Sequence, residues 1–264
     1  DAMIFAEIIH QAGLPAGVFN LVNGVGPVVG AALSRHPDVQ MMSFTGSTRA
    51  GTAVTRDSAD SVKRVTLELG GKSPNLGFAD CDLEERVNQS VAECMFNTGQ
   101  SCDAPTRLLV ESSCYDEAVA IAQRAAEATR VGNPEEEGDH IGPLFDQIQF
   151  DRVQTMIQVG IDEGATLVTG GLGRPEGIDV GWYVRPTIFA DVNNSMRVAR
   201  EEIFGPVLVI IPFDTEEDAI SIANDTPYGL AAYVQTGNRD RAARLCKKLR
   251  AGAVHINGGA YEYG

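Results

Sequence analysis

A chain of 264 residues with 44% hydrophobic and 22% charged residues is long enough for one large α/β domain or two smaller ones, and its makeup is that of an ordinary globular protein. Its formal net charge of -15 argues against a surface that collects nucleic-acid phosphates, which calls for a basic patch or stripe. No apolar run approaches the roughly 18 residues that a membrane span requires, and the longest, residues 207–212, suits a buried strand.

The first elements in chain order alternate. Residues 2–12 read as an amphipathic helix, with no basic start or small-residue cleavage site that would mark a targeting segment. A strand over 18–22, a helix over 27–35, a strand over 39–44, a helix from Ser47 and a strand over 64–69 follow, the β-α-β-α-β order of a parallel sheet covered by helices. Gly70-Gly71 punctuates the chain, which places a domain change there: 1–70 and 71–264. Strands are then predicted over 74–78, 107–111, 165–169, 183–189, 207–212, 231–235 and 254–257. Helices are predicted over 82–97, 115–130, 150–163, 216–224 and 240–249, with surface loops over 132–138 and 170–181 rich in Gly, Pro and acidic residues.

Two glycine-rich turns each follow a strand and open a helix, where exposed N–H groups can face an anion: Gly24-Val-Gly-Pro-Val-Val-Gly30 and Phe44-Thr-Gly-Ser-Thr48. Either could hold a phosphate or serve only as a turn and cap, and neither has the spacing of the common dinucleotide fingerprint. Glu68 ends an apolar strand, at the carboxyl edge where α/β sheets place ligands. Partial burial there would raise its pKa and suit it to general-base work, the alternative being a solvated strand-end charge.

Five cysteines, Cys81, Cys94, Cys102, Cys114 and Cys246, are an odd number without a C-x-x-C pair or histidines at metal-ligand spacing. That points to free thiols in a reducing compartment and to no metal centre. Cys102 stands in a polar loop leading from a helix into a strand, where a thiol can be a nucleophile if a neighbour lowers its pKa or takes its proton. The other four read as packing thiols.

Val65-Thr-Leu-Glu-Leu-Gly-Gly-Lys-Ser-Pro-Asn75 resembles the glutamate signature of aldehyde dehydrogenases, and residues 96–107 resemble their cysteine signature. Glu201-Glu-Ile-Phe-Gly-Pro-Val207, Phe44-Thr-Gly-Ser47, Pro227-Tyr-Gly-Leu230 and Ile256-Asn257 match in the same order, so the resemblance runs along practically the whole chain. It implies the second half of a Rossmann-like cofactor domain, followed by an α/β catalytic domain with a parallel or mixed sheet. It further implies oxidation of an aldehyde to a carboxylic acid with NAD or NADP, through a cysteine thioester.

By that resemblance Cys102 is the nucleophile and Glu68 activates the water that hydrolyses the thioester. The oxyanion formed on addition needs preorganised donors, the Cys102 backbone N–H among them. Cofactor contacts fall on Gly26, Gly30, Gly46, Ser47, Leu69, Glu202 and Phe204, with Glu202 on the nicotinamide ribose. Lys72, Asn75 and Arg107 match the signatures and are assigned structural roles. A small-molecule aldehyde is the expected partner, with neither nucleic acid nor membrane, in a cytoplasmic homodimer or homotetramer.

The family's chains are longer, so a stretch of about 200 residues before this sequence, a further oxyanion-hole asparagine and the closing segment are expected outside it. Asp103, directly after the nucleophile, is unusual there and would oppose thiolate formation if turned inward; it is expected to point away. Other readings are an acyl-transferring relative, disfavoured by Glu68, and a non-catalytic protein that keeps the fold.

Overall fold

A computed structural model describes residues 2–258, which divide into two compact units, Asp1–Leu69 and Gly70–Gly264. None of the described helices is long and apolar enough to cross a membrane.

The first unit runs α1 (Ala2–Gln11), α2 (Gly26–Arg35), β1 (Met41–Gly46), α3 (Thr48–Ser58) and β2 (Arg64–Leu69). β1 and β2 pair in parallel, with Thr45 beside Glu68 and Gly46 beside Leu69. α3 begins because Ser47 caps it, its hydroxyl accepting the Ala50 N–H at 3.3 Å. Pro27 falls in the first turn of α2, where its missing N–H costs nothing. The strand expected over residues 18–22 is absent: Val18 and Val22 are exposed and the segment lies in neither ladder. An apolar run becomes a strand only when another backbone completes its hydrogen bonds.

The second unit runs β3 (Pro74–Gly77), α4 (Leu83–Met95), β4 (Arg107–Glu111), α5 (Tyr115–Ala128), α6 (Gln147–Asp162), β5 (Thr166–Thr169), β6 (Thr187–Ala190), α7 (Arg197–Arg200), β7 (Val207–Phe213), α8 (Glu216–Asn224), β8 (Ala231–Gln235), α9 (Arg239–Lys248) and β9 (Ala253–Ile256). Its sheet has the order β5-β6-β7-β4-β3-β8-β9, parallel throughout except for β5 against β6. The unit is therefore mixed α/β.

Side chains alternate across this sheet. Leu108, Val110, Ile188, Leu208 and Ile210 meet Val87, Val91 and Met95 of α4 and Ile121 of α5 on one face. Leu76, Leu109, Val209 and Ile211 meet Val153 and Ile157 of α6, Ala219 of α8 and Leu245 of α9 on the other. Burial on both faces explains the near-continuous apolar runs that marked these strands in the sequence.

The expected strand over 183–189 shrinks to its end, because Pro186 lacks the N–H a ladder needs; pairing starts at Thr187, which donates to the Pro206 carbonyl. α7 escaped the sequence reading because four residues are too short to show a helical period.

Candidate active site

Strand order assembles the site in the second unit. β7, β4 and β3 lie side by side, and the segments that precede them, 201–206, 96–106 and 70–73, arrive together at the amino edge of the sheet. They carry Glu202 and Phe204, Cys102, and Gly70 to Lys72 respectively.

The Cys102 loop leaves α4 through a sharp reversal in which Asn97, Thr98 and Gly99 have φ of 48°, 59° and 71°. Such a conformation is strained for a β-branched threonine and persists only when its surroundings enforce it. Thr98 Oγ1 donates to the Gly142 carbonyl at 3.0 Å, and the Gln100 amide oxygen accepts the Phe145 N–H at 2.9 Å. A β-carbon on Gly99 would collide with the Gly205 backbone, so the Cys102 loop and the Phe204 segment touch main chain to main chain.

Gly70 and Gly71 serve the same purpose. A β-carbon on Gly71 would fall on the Cys102 carbonyl oxygen, and one on Gly70 would fall on the Glu202 carboxylate. The Gly71 N–H donates to Glu202 Oε1 at 3.3 Å. The structure thus brings Cys102 and Glu202 to opposite sides of one glycine pair. α6 supports the Glu202 segment from behind: Gln149 Nε2 donates to the carbonyls of Ile203 and Phe204, and Arg152 to that of Glu202 at 2.6 Å. Phe204 itself has φ of 58°, a second strained residue at the site.

Cys102 is half-buried, and burial, followed by the Asp103 charge, raises its thiol above the ordinary cysteine range. The thiol of this chain is therefore held protonated rather than activated. The Asp103 charge acts on the Cys102 thiol, the opposition to thiolate formation that the sequence raised. Asp103 accepts the Ser101 hydroxyl on its carboxylate at 2.5 Å. Its carbonyl accepts the Tyr233 hydroxyl at 3.1 Å, tying the loop to β8. Burial also raises the Glu202 carboxyl, against the lowering effect of the Gly71 N–H, Arg152 and Lys72.

Lys72 is completely buried, which lowers its ammonium to about 7, and its Nζ has no hydrogen-bond partner among the described residues. Arg107 is buried too, but satisfied: Nε donates to the Lys72 carbonyl, and the guanidinium fork donates to Asn194 Oδ1 and the carbonyls of Ile222 and Ala223. Asn75 donates to Ser90 Oγ at 2.7 Å and accepts from Gln235. Gln149, Arg152 and Tyr233 had no sequence signal of their own, since each acts through a contact distant in sequence.

In the first unit, register places Glu68 and Leu69 beside Thr45 and Gly46, next to the Ser47 cap. Glu68 is exposed, the solvated strand-end arrangement of the two that the sequence left open, because it falls with Arg64 and Thr66 on the open side of the alternating strand. Gly26 and Gly30 lie on α2 with open space where a β-carbon would point. Elsewhere, Cys94 is buried as expected of a packing thiol, but Cys246 is exposed, since it lies on the solvent side of α9.

Comparison with known proteins agrees with these features. The sequence matches the aldehyde dehydrogenase family over residues 1–263. It is 52% identical over 263 residues to a 3-succinoylsemialdehyde-pyridine dehydrogenase of a Pseudomonas species, covering 100% of this chain and 55% of that protein. An aldehyde dehydrogenase structure from Bartonella henselae superposes with a TM-score of 0.97 at 53% identity, over 98% of this chain and 54% of the other. Aldehyde dehydrogenase C of Pseudomonas syringae, solved as a cysteine-to-alanine mutant with NAD+ and octanal, superposes equally well at 0.97, with 50% identity over 99% of this chain and 54% of the other. The chain thus spans about half the length of the relatives it matches. With the Cys102 loop, the glycine pair and the Glu202 segment assembled on a mixed α/β sheet and the match running from end to end, the chain belongs to the aldehyde dehydrogenase family.

Proposed function

We propose that this chain supplies the nucleophile and much of the cofactor contact surface of an NAD(P)-dependent aldehyde dehydrogenase that releases a free carboxylic acid. The observation that carries the reading is the packing of the Cys102 carbonyl and the Glu202 carboxylate on Gly70 and Gly71, which fixes the thiol-bearing loop relative to a carboxylate able to accept two hydroxyl hydrogens.

The residues present fit a dinucleotide. A glycine inside a helix costs about 1 kcal/mol relative to alanine. Gly30 sits inside α2 and Gly26 at its start, with no protein atom near either missing β-carbon, so packing gives no reason for glycine and close approach of a ligand does. Ser47 caps α3, whose first-turn N–H groups form an anion site. In this reading Gly26, Gly30, Gly46, Ser47, Leu69, Glu202 and Phe204 are the cofactor contacts. The cofactor, when bound, supplies the hydride acceptor.

Cys102 adds to the aldehyde carbonyl as the thiolate, and its backbone N–H stabilises the oxyanion. Since burial and Asp103 favour the thiol, its proton must be taken as the reaction begins. After oxidation to the thioester, Glu68 accepts a proton from the attacking water. The free cysteines among the described residues suit a reducing, cytoplasmic setting, and we assign the whole enzyme to a homo-oligomer as in the resemblance drawn from the sequence.

In the complete enzyme, Cys102→Ala should abolish aldehyde-dependent NADH formation; persistence of that activity would refute the mechanism. Glu68→Gln should give a burst of NADH and slow turnover. Equal loss of both phases would instead make Glu68 the activator of the thiol.

A further inference from the structure

The carboxyl edge of the sheet, opposite the edge that carries Cys102, holds two cysteines in equivalent positions. Gly77 of β3 and Val110 of β4 are register partners, so Phe78 and Glu111 are the next residues on adjacent parallel strands. Each is followed after three residues by a cysteine, Cys81 and Cys114, at the end of a tight turn. The Cys81 N–H donates to the Phe78 carbonyl at 3.1 Å, and the Cys114 Sγ to the Glu111 carbonyl at 3.4 Å.

The two turns are locked side by side, the Ala79 N–H donating to the Glu111 carboxylate at 2.9 Å. Their outer flanks are fixed as well. Asp80 accepts from Thr236 and Arg241, and Ser112 donates to the Phe213 carbonyl and to Asp214. The turns lead into α4 and α5, which pack against one core cluster, and both cysteines are half-buried rather than sealed.

We propose that Cys81 and Cys114 form a reversible disulfide that staples the β3–α4 turn to the β4–α5 turn under oxidising conditions. The oxidant is a low-molecular-weight disulfide such as oxidised glutathione. One thiol, deprotonated, attacks a glutathione sulfur and expels a glutathione thiolate. The second thiol, deprotonated in turn, displaces the other glutathione from the mixed disulfide. Two protein thiols are oxidised by two electrons and one glutathione disulfide is reduced to two thiols.

Both turns leave adjacent strands about 5 Å apart, a spacing within the Cα range that a disulfide spans. Burial, followed by the Cys114 sulfur and by Asp80, pushes Cys81 up to about 11; Arg86 lowers it. Burial, Glu111 and Glu117 raise Cys114. Exchange is therefore slow at neutral pH and faster in alkali, and the bond, once formed, resists reduction because both of its thiols are poor leaving groups.

The test is to incubate the 264-residue chain with oxidised glutathione at about pH 9, block remaining thiols with N-ethylmaleimide, digest with trypsin and identify linked peptides by mass spectrometry. Cys81 lies in peptide 73–86, Cys114 in 108–124, and Cys94 with Cys102 in 87–107, so the products are separable. A disulfide between the first two peptides, lost in Cys81→Ser and in Cys114→Ser, is the expected result, with a rise in Tm of roughly 5 °C. Recovery of Cys81 and Cys114 only as separate glutathione adducts or as alkylated thiols would overturn the proposal.

Discussion

The carbonyl oxygen of Cys102 occupies the space that a side chain on Gly71 would need. Gly71→Ala should therefore push the nucleophile loop away from the Glu202 segment without removing any reacting group. In the complete enzyme kcat should fall by about a hundredfold or more, the usual consequence of displacing a reacting atom by an ångström. Stopped-flow NADH formation, alongside a circular-dichroism spectrum, checks this; an unchanged kcat would show that the contact is dispensable.

Asp103→Asn removes the charge that, after burial, does most to keep Cys102 protonated. The alkylation rate of Cys102 by iodoacetamide at about pH 8 should rise, and its pH profile should move to lower pH. A profile that stays in place would mean that the carboxylate does not act on the thiol.

Lys72→Met should stabilise the second unit. Burial lowers the folded-state pKa from 10.5 to about 7, so between those values the unfolded chain holds a proton that the folded chain has released. Stability rises with pH across that window, and the penalty is fully present below about pH 7. The variant should gain a few kcal/mol in urea denaturation at about pH 6 and less at about pH 9. Equal gains at both values would show that the ammonium does not titrate in the fold.

Arg107→Met leaves the Asn194 side chain and the Lys72, Ile222 and Ala223 carbonyls without their donor. The loss should be about 3–5 kcal/mol in urea denaturation, and Arg107→Lys should recover little of it, since an ammonium cannot reproduce the planar fork.

Individual elements of this protein were legible because each advertises itself locally. β2, β4, β8 and α8 stand where alternation and apolar runs place them. What stayed hidden was relational. β4 pairs with β7, Arg107 beside Val209, across roughly a hundred residues, and only that pairing shows why Cys102 and Glu202 meet. Residues 18–22 mislead for the same reason: strand propensity is local, whereas a ladder partner is not. Cys102 read alone was one polar-loop thiol among five, and the ordered signatures around it made it the candidate. The left-handed pair Asn97 and Thr98 was invisible, because tertiary contacts enforce conformations that propensity disfavours.

Main chain resting on main chain at Gly99 and Gly205 has a practical meaning for anyone reshaping this protein. Where two backbones touch, a side chain added at Gly99 can only force them apart, so the spacing of the Cys102 loop to the Glu202 segment depends on glycine there. Under the proposed function, selectivity is to be sought in side chains around that frame, with Ser101 and Asp103 the nearest to Cys102 in the chain. A mutant library that randomises those positions while holding Gly70, Gly71, Gly99 and Gly205 constant would explore selectivity without dismantling the geometry.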